Sequence, residues 1–516
     1  MFPLRTTVDL EAIAHNTRTL KQRAGNAELM CVVKADAYNH GIEHCVPVME
    51  ANGADRFGVA TFGEARRVQA LTDLPVLAWL WEPGEDIPAR IEVAAPSLQH
   101  LRELIDASVR PTIYLTIETG MHRAGIDETH WPEAFALAAE AHEAGKIRVA
   151  GLMSHLAVAD DPEDTYTDAQ AAVFQRAIEL ARGAGLELPR NHLANSPATL
   201  TREDLHFDMV RPGVALYGLE PIAGADNGLR EAMTWVGNVI AVKPIREGET
   251  VSYGRTWAAP ADGWTAVVPA GYADGVQRQW QGGLEVTIGG QRYPQVGRVC
   301  MDQLVVWLGM NPHNVQAGDE AVLFGPGGRS AADTAKAVGT INYEIVCAPR
   351  GRTKREHTLP LSGSRVCDNA ADTQQLGREL AATLRAGDVV ILEGPLGAGK
   401  TTFTQGLADG LGVKGRVTSP TFIIARHHKS KTTGPDLVHV DAYRLGGVGE
   451  LDALDLDTDL DDAVVVAEWG GGLMEQLSGS YVHVNLDRET LVADDPETEA
   501  RIVTWHRGGE DEQGVG

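Results

Sequence analysis

At 516 residues with 43% hydrophobic and 22% charged content, the chain is too long for one ordinary domain and has apolar material for two or three. A formal charge of −26 argues against unaided nucleic-acid binding, which needs a basic footprint, and reads as solvated acidic faces. Five scattered cysteines without a CxxC pair (Cys31, Cys45, Cys300, Cys347 and Cys367) exclude a disulfide frame or zinc site, and with no apolar leader the expected location is cytoplasmic.

From Asp9 the chain alternates helical periods with short apolar runs. Asp9 predicts the cap of a helix through Leu20, with Leu10, Ile13 and Leu20 on its buried side. Met30 to Val33 reads as a buried strand that turns polar at Lys34. An amine leaving an apolar strand can be desolvated, which lowers its pKa and lets it condense with an aldehyde. Taken alone, the segment reads more simply as a lysine snorkelling at a strand end.

A helix closed by Gly53, a strand at Phe57–Thr61 and a helix from Glu64 follow. Further strands are expected at Val76–Leu80, Ile91–Ala95, Thr112–Glu118, Val149–His155, Arg190–Asn195 and Met209–Leu216. Helices at Leu98–Ile105, Pro132–Ala144 and Asp168–Ala184 lie between them. Roughly eight βα units over residues 1–228 predict an α/β fold, a (β/α)8 barrel whose chemistry sits at the carboxyl ends of the strands. Those ends carry Lys34, Arg123, His155, Asn195, Ser196, Arg211 and Gly213. A hydroxyl and a glycine near the last two strands match the usual phosphate position of this fold. An amine, a phosphate cradle, an imidazole and two guanidinium groups suit pyridoxal phosphate.

After Pro221 the helical period fades, and residues 229–360 read as a β-rich domain. Short strands at Val236–Val242, Val251–Trp257, Ala266–Pro269, Leu284–Ile288 and Gln303–Leu308 are separated by Gly-rich turns. The segments VVKADAYNHG, TGMHRAG, SHLA, ANSPATL, MVRPGVALYGL, VSYGRTW, GYADG, GRVCMDQ and INYE then stand in order. In these, residues 1 to about 358 resemble bacterial alanine racemase along their whole length. The resemblance implies interconversion of L- and D-alanine, supplying D-alanine for peptidoglycan, by a head-to-tail homodimer that shares its active sites. It implies that Lys34 holds pyridoxal phosphate covalently and is one catalytic base, with Tyr253 of the second subunit the other. Tyr38, Asn195, Ser196, Gly213, Val214 and Tyr343 would bind the cofactor about its phosphate, Arg211 would face the pyridine nitrogen, and His155 would lie against the ring. Arg123 and the Met301 backbone would meet the substrate carboxylate. Two positions depart from the family. Thr116 stands where a carbamylated lysine often balances the arginine, leaving chloride or Glu118 for that task, and Asn39 stands where glycine is usual. Decarboxylation of a basic amino acid is the competing barrel reaction, and SYG with CMDQ points away from it.

Leu361 to Ala371 has small and polar residues without period and reads as a linker. A helix at Asp372–Leu384, capped by Asp372 or Thr373, and a buried strand at Val389–Glu393 lead into GPLGAGKT. This is GxxxxGK[ST] between a strand and a helix, the setting that gives a P-loop its meaning. Gly394, Gly397 and Gly399 let backbone N–H groups approach the phosphates of ATP, Lys400 reaches them, Thr401 ligates Mg2+, and Thr402 completes the motif. Strands at Leu437–Val440 and Ala463–Ala467 end at Asp441, a second magnesium carboxylate, and at Glu468, a candidate for the hydrolytic step. With TSPTF, HVDAYRL and AEW in order, residues 372 to about 508 resemble the small ATPase subunit (TsaE type) of the complex that makes threonylcarbamoyladenosine in tRNA. That implies partner subunits, with tRNA reached only through them. Residues 509–516 read as a disordered tail. The chain is expected to be a bifunctional fusion; the alternative keeps one half active and the other as a binding module.

Overall fold

The computed structural model describes residues 4–415, 417–418, 425–431, 434–442, 460–472, 474–478, 480–494 and 498–509. Two compact units divide the chain, Met1–Glu356 and His357–Gly516.

In the first unit Asp9 caps the helix Leu10–Ala24 by accepting from the Glu11 and Ala12 N–H groups. A parallel sheet then runs in the order Arg148–Met153, Thr112–Thr116, Ile91–Ala95, Val76–Ala78, Arg56–Val59, Glu28–Val32 and Met209–Val210. The expected strand Arg190–Asn195 is instead an extended segment with one bridge, Met153 to His192. Its backbone still bonds both neighbours: Arg190 N to Ala150 O at 3.0 Å on one side, and Arg211 N to Ala194 O at 2.8 Å on the other. The ladder fails because side chains take its bonds. Asn191 Oδ1 accepts from Leu152 N, and Asp208 Oδ2 from Asn191 N. The barrel therefore closes through a segment that is strand-like in path but irregular in pairing. The last strand is also shorter than expected, because Pro212 has no N–H and Val214–Tyr217 coils into a 3-10 turn.

Inside the barrel Met30, Leu77, Ala94, Tyr114, Ala150, Met153 and Met209 form one apolar cluster. Beside them Arg56 pairs with Glu28 at 2.5 Å and Glu92 at 2.8 Å, and Arg190 pairs with Glu28 at 3.0 Å. A buried cation in this position is held by paired carboxylates, as desolvation requires.

The β-rich part is a sheet in the order Ala241–Ile245, Gly263–Val268, Leu304–Gly309, Gln291–Val296, Glu285–Ile288, Glu320–Phe324, Met233–Asn238, Leu4–Asp9 and Lys354–Thr358. Leu4–Asp9 was not expected here: residues 1–228 do not form a barrel alone, because Thr6 pairs antiparallel with Trp235. The Gly289–Gly290 turn also makes a hairpin, Glu285–Ile288 with Gln291–Val296, that sequence reading resolved only in its first arm.

In the second unit the linker expectation is corrected. Ser362–Cys367 is an edge strand, paired from Ser362 with His506 to Cys367 with Arg501, and the helix begins at Ala370 under an Asn369 cap. Small polar residues suit an edge strand, whose one outer side meets water. The sheet runs Ser362–Cys367, Arg501–Gly509, Ser480–Asp487, Val389–Glu393, Ala463–Glu468, Asp436–Asp441, Ala425–His428, parallel through its middle and antiparallel at both edges. Within the TSPTF segment, Ser419 to Phe422 lies outside the described residues, as do the tail residues 510–516.

Candidate active sites

The strand ends of the barrel open on a cavity of ≈ 450 Å³. Lys34, Tyr38, Arg123, His155, Asn195, Ser196, Arg211, Gly213, Val214 and Tyr343 all line it, and so do Thr116 and Glu118. Lys34 does not sit on the strand. It opens a turn in which Ala35, Asp36, Ala37, Tyr38 and Asn39 all have positive φ, between 51° and 66°. Left-handed backbone costs L-residues roughly 1–2 kcal/mol each, so this run is a strained element that the surroundings must hold. It turns Lys34 and Tyr38 to the same cavity, with the Lys34 Nζ 5.8 Å from the Tyr38 ring and 5.9 Å from the Trp79 ring. Burial lowers the Lys34 pKa, and Arg123 and Arg211 lower it further while Glu64 opposes them. An amine so placed is a better nucleophile and base than a solvated lysine.

Hydroxyls and backbone N–H groups also gather at the cavity wall. Asn195 caps the helix Ser196–Thr201, and Ser196 Oγ accepts from Gly213 N at 2.8 Å and Ala215 N at 3.4 Å. The Tyr38 hydroxyl lies against Gly213 so closely that a Cβ there would meet it at 2.3 Å. Tyr343 packs beside Tyr38 with ring centroids 6.1 Å apart. Burial pushes the Tyr343 phenol up to about 12 and raises that of Tyr38 as well, so both keep their protons and can donate. Hydroxyls and glycine backbone converging in this way fit a phosphate.

Arg211 is buried; its Nη1 donates to His192 Nδ1 at 2.7 Å and its Nη2 to Ser154 O at 2.6 Å. Burial lowers its pKa to about 10, which leaves it charged at neutral pH. His155 is driven the other way. Burial, then Arg211, Arg123 and Lys34, lowers its pKa to about 3, so the imidazole is neutral. The donor set, the amine and the neutral ring together fit pyridoxal phosphate.

Tyr253 and Met301 are elsewhere. With Ser252, Tyr272, Cys300, Asp302 and Gln303 they line a second cavity of ≈ 310 Å³, where Tyr253 is 72% and Met301 56% exposed. Ser252, just before Tyr253, has φ 64° and ψ −174°, a region natural to glycine alone. Its hydroxyl donates to Arg298 O at 2.6 Å, which helps hold that conformation. Non-glycine residues of positive φ thus stand next to five predicted site residues: Ala35 after Lys34, Ala37 and Asn39 either side of Tyr38, His122 before Arg123, Ser252 before Tyr253 and Trp469 after Glu468. No sequence signal announces them. Sequence reading also missed Trp79, Met121 and His192, the first two lining the cavity and the third aligning Arg211.

In the second unit the strand Val389–Glu393 delivers the loop and Lys400–Leu411 carries it into a helix. Gly394 and Gly399 have φ of 132° and 108°, and a Cβ on them would meet Leu486 O and Arg501 Nη1 at 2.3 Å. Lys400 Nζ donates to Gly394 O at 2.7 Å and Pro395 O at 3.1 Å, and lies 3.9 Å from the Trp469 ring centroid. Burial lowers its pKa, with Glu468 and Asp441 opposing. Asp441 and Glu468 are register partners at the ends of adjacent parallel strands. Glu468 Oε1 accepts from Thr401 Oγ1 and bonds His439 Nε2, each at 3.1 Å. A hydroxyl and two carboxylates beside a phosphate loop fit Mg2+ with ATP. His439, buried beneath Glu468, was not singled out from sequence because it alternates within an apolar strand.

A barrel with a lysine, a phosphate cradle and an attached β-domain defines a pyridoxal-phosphate enzyme; a phosphate-loop ATPase follows it in the chain. Residues 8–221 match the family "Alanine racemase, N-terminal domain", residues 232–357 "Alanine racemase, C-terminal domain", and residues 367–495 "Threonylcarbamoyl adenosine biosynthesis protein TsaE". The alanine racemase of Corynebacterium efficiens is 57% identical over 365 residues, covering 69% of this chain and 98% of that protein. That of Mycobacterium tuberculosis is 47% identical over 364 residues, covering 68% and 94%. Among solved structures, the alanine racemase of Corynebacterium glutamicum superposes with a TM-score of 0.64 at 50% identity, covering 69% of this chain and 100% of that one. An alanine racemase from Bartonella henselae with covalently bound pyridoxal phosphate does so with 0.64 at 26%, covering 69% and 99%. The chain belongs to the alanine racemase family, with a TsaE domain after it. The racemase match of the β-domain sets the decarboxylation reading aside.

Proposed function

We propose that this chain is bifunctional: its first unit interconverts L- and D-alanine with pyridoxal phosphate, and its second is an ATPase acting in threonylcarbamoyladenosine synthesis on tRNA. The observation that carries the first activity is the gathering of Lys34, the hydroxyl cradle and Arg211 in one cavity. Pyridoxal phosphate, when bound, acidifies the substrate Cα–H. Tyr38, Asn195, Ser196, Gly213, Val214 and Tyr343 would hold it about its phosphate, Arg211 would face its ring nitrogen, and neutral His155 would lie against the ring. Arg123 and the Met301 backbone of a second copy orient the substrate carboxylate, and chloride or Glu118, which lines the cavity with Thr116 and Arg123, offsets the guanidinium.

Racemisation needs a base on each face of Cα. Lys34 serves one face, and the other falls to Tyr253 of a second copy, because within one chain Tyr253 lines a different cavity. The working form is therefore a homodimer with shared sites. In the second unit Gly394, Gly397, Gly399, Lys400, Thr401 and Thr402 hold ATP, Thr401 and Asp441 hold Mg2+, and Glu468 serves hydrolysis. Its partners are the other subunits of the tRNA-modifying complex. Among the described residues no helix is long and apolar enough to cross a membrane. With five cysteines all free, we place the protein in the cytoplasm.

Mixing Lys34→Ala and Tyr253→Ala chains tests the shared site. A closed symmetric heterodimer holds one intact and one doubly damaged site, so activity returns where neither parent has any. Heterodimers that form, as shown by differently tagged chains, yet stay inactive would exclude it.

A further inference from the structure

The turn that carries Lys34 and Tyr38 has a built anchor. Its residues 35–39 hold positive φ with no glycine among them, Asn39 reaching 66°. Two side chains on the turn act as handles. Asp36 Oδ1 accepts from Ile42 N at 3.2 Å and Arg67 Nη2 at 2.8 Å. Asn39 Nδ2 donates to Val346 O at 3.1 Å and Pro349 O at 2.9 Å. One guanidinium spans both handles: Arg355 Nη1 donates to Asp36 Oδ2 and Nη2 to Asn39 Oδ1, each at 2.6 Å. Glycine at position 39 would suit the backbone but leave Arg355 Nη2 without its Asn39 acceptor, so the asparagine and the arginine form a matched pair. Arg355 does not line the cavity, and it lies two residues before His357, where the second unit begins.

We propose that Arg355 is a positioning residue of the cofactor site: its fork closes the left-handed turn from Asp36 to Asn39 and so sets the direction in which Lys34 and Tyr38 enter the cavity. The inference rests on Lys34 being the amine that holds the cofactor. Arg355 touches neither cofactor nor substrate, and its effect passes through backbone conformation. A planar fork can bridge two acceptors that far apart along the turn, and a single ammonium cannot replace it. Glycine, by contrast, keeps a positive φ without side-chain support.

The test uses the full chain and pyridoxal phosphate, in four variants: Arg355→Ala, Arg355→Lys, Arg355→Ala with Asn39→Gly, and Lys34→Ala. Cofactor affinity of the resolved protein, kcat and KM for alanine, and the melting temperature of the cofactor-free form are measured on each. Arg355→Ala is expected to weaken cofactor binding at least tenfold and to lower kcat, with KM within about twofold because the Arg123 loop is untouched. Arg355→Lys should fall between, and Asn39→Gly in the alanine background should recover most of the affinity. Cofactor affinity and kcat of Arg355→Ala within twofold of the parent would overturn the proposal. So would a loss that Asn39→Gly leaves unchanged, since that marks general damage. Should Arg355→Ala not fold, Arg355→Lys and the double variant decide on the same criteria. Borohydride fixation and mass mapping separate this from the underlying reading: cofactor fixed to the parent chain anywhere but Lys34, or still fixed in Lys34→Ala, would remove the premise itself.

Discussion

Gly213→Ala gives a direct measure of how tightly the phosphate end of the barrel site is built. Gly213 has φ −118° and ψ −83°, so alanine there meets no left-handed penalty, and the steric contact of its added Cβ is the effect to weigh. Its added Cβ would meet Tyr38 Oη at 2.3 Å and Cζ at 3.0 Å. Ordinary contact begins near 3.4 Å, so the phenol must withdraw by about 1 Å. Tyr38 cannot withdraw freely, because the rings of Tyr217 and Tyr343 lie 4.9 Å and 6.1 Å from its own. Overpacking of this kind costs roughly 1–3 kcal/mol, which at 1.4 kcal/mol per decade is about 5- to 150-fold in a binding constant. The cofactor-free protein can relieve the clash by turning Tyr38 toward the cavity, so the cost should appear in cofactor affinity more than in melting temperature. Titrating resolved protein with pyridoxal phosphate is expected to show affinity about 10- to 100-fold weaker. Tyr38→Phe in the same chain removes the nearest atom and should recover part of that loss. A Gly213→Ala protein of unchanged cofactor affinity would refute the placement of phosphate between Tyr38 and the Gly213 backbone.

Three further outcomes are expected. A chain ending at Pro360 keeps cofactor and activity, since the first unit closes at Glu356; a second fragment starting at Gly363 or later loses part of the edge strand Ser362–Cys367 and should melt earlier than one starting at His357, as circular dichroism on the two would show. Because the folded His155 pKa is depressed to about 3 from 6.5, the native state binds fewer protons than the unfolded one between those values. Its contribution to stability is full above pH 6.5 and is lost as the pH falls; His155→Gln should flatten the acid limb of a urea-denaturation series on the cofactor-free protein by up to about 1.4 kcal/mol per pH unit, and an unaltered limb would contradict the shift. Asp441→Ala should reduce magnesium-dependent, partner-stimulated ATP hydrolysis by at least tenfold while nucleotide binding changes less, and normal hydrolysis would take that carboxylate out of the metal site.

What was legible in the sequence depended on how local its cause is. Val389–Glu393 is read to the residue because a continuous apolar run lies between turn signals, and its helix begins where the phosphate-loop lysine demands. Ile91–Ala95 is equally plain. Ser362–Cys367 was misread because its strand character comes from a partner, Arg501–Gly509, far along the chain. Arg190–Asn195 lost its ladder to the side chains of Asn191 and Asp208, which no periodicity reports. For the site, residue types and order picked out the members, yet nothing local said that Lys34 would open a left-handed turn. Nor could spacing reveal that Tyr253 and Met301 lie outside the cavity that holds Lys34, since tertiary packing decides that separation.

The central claim is that one chain carries two independent chemistries. It is tested by assaying purified full-length protein, with Lys34→Ala and Lys400→Ala variants, for D-alanine formed from L-alanine and for ATP bound in the presence of Mg2+. A clean crossing is expected: Lys34→Ala binds ATP as the parent does and forms no D-alanine, while Lys400→Ala racemises as the parent does and binds no ATP productively. Parent protein lacking either activity, or a Lys34→Ala chain that still racemises alanine, would contradict it.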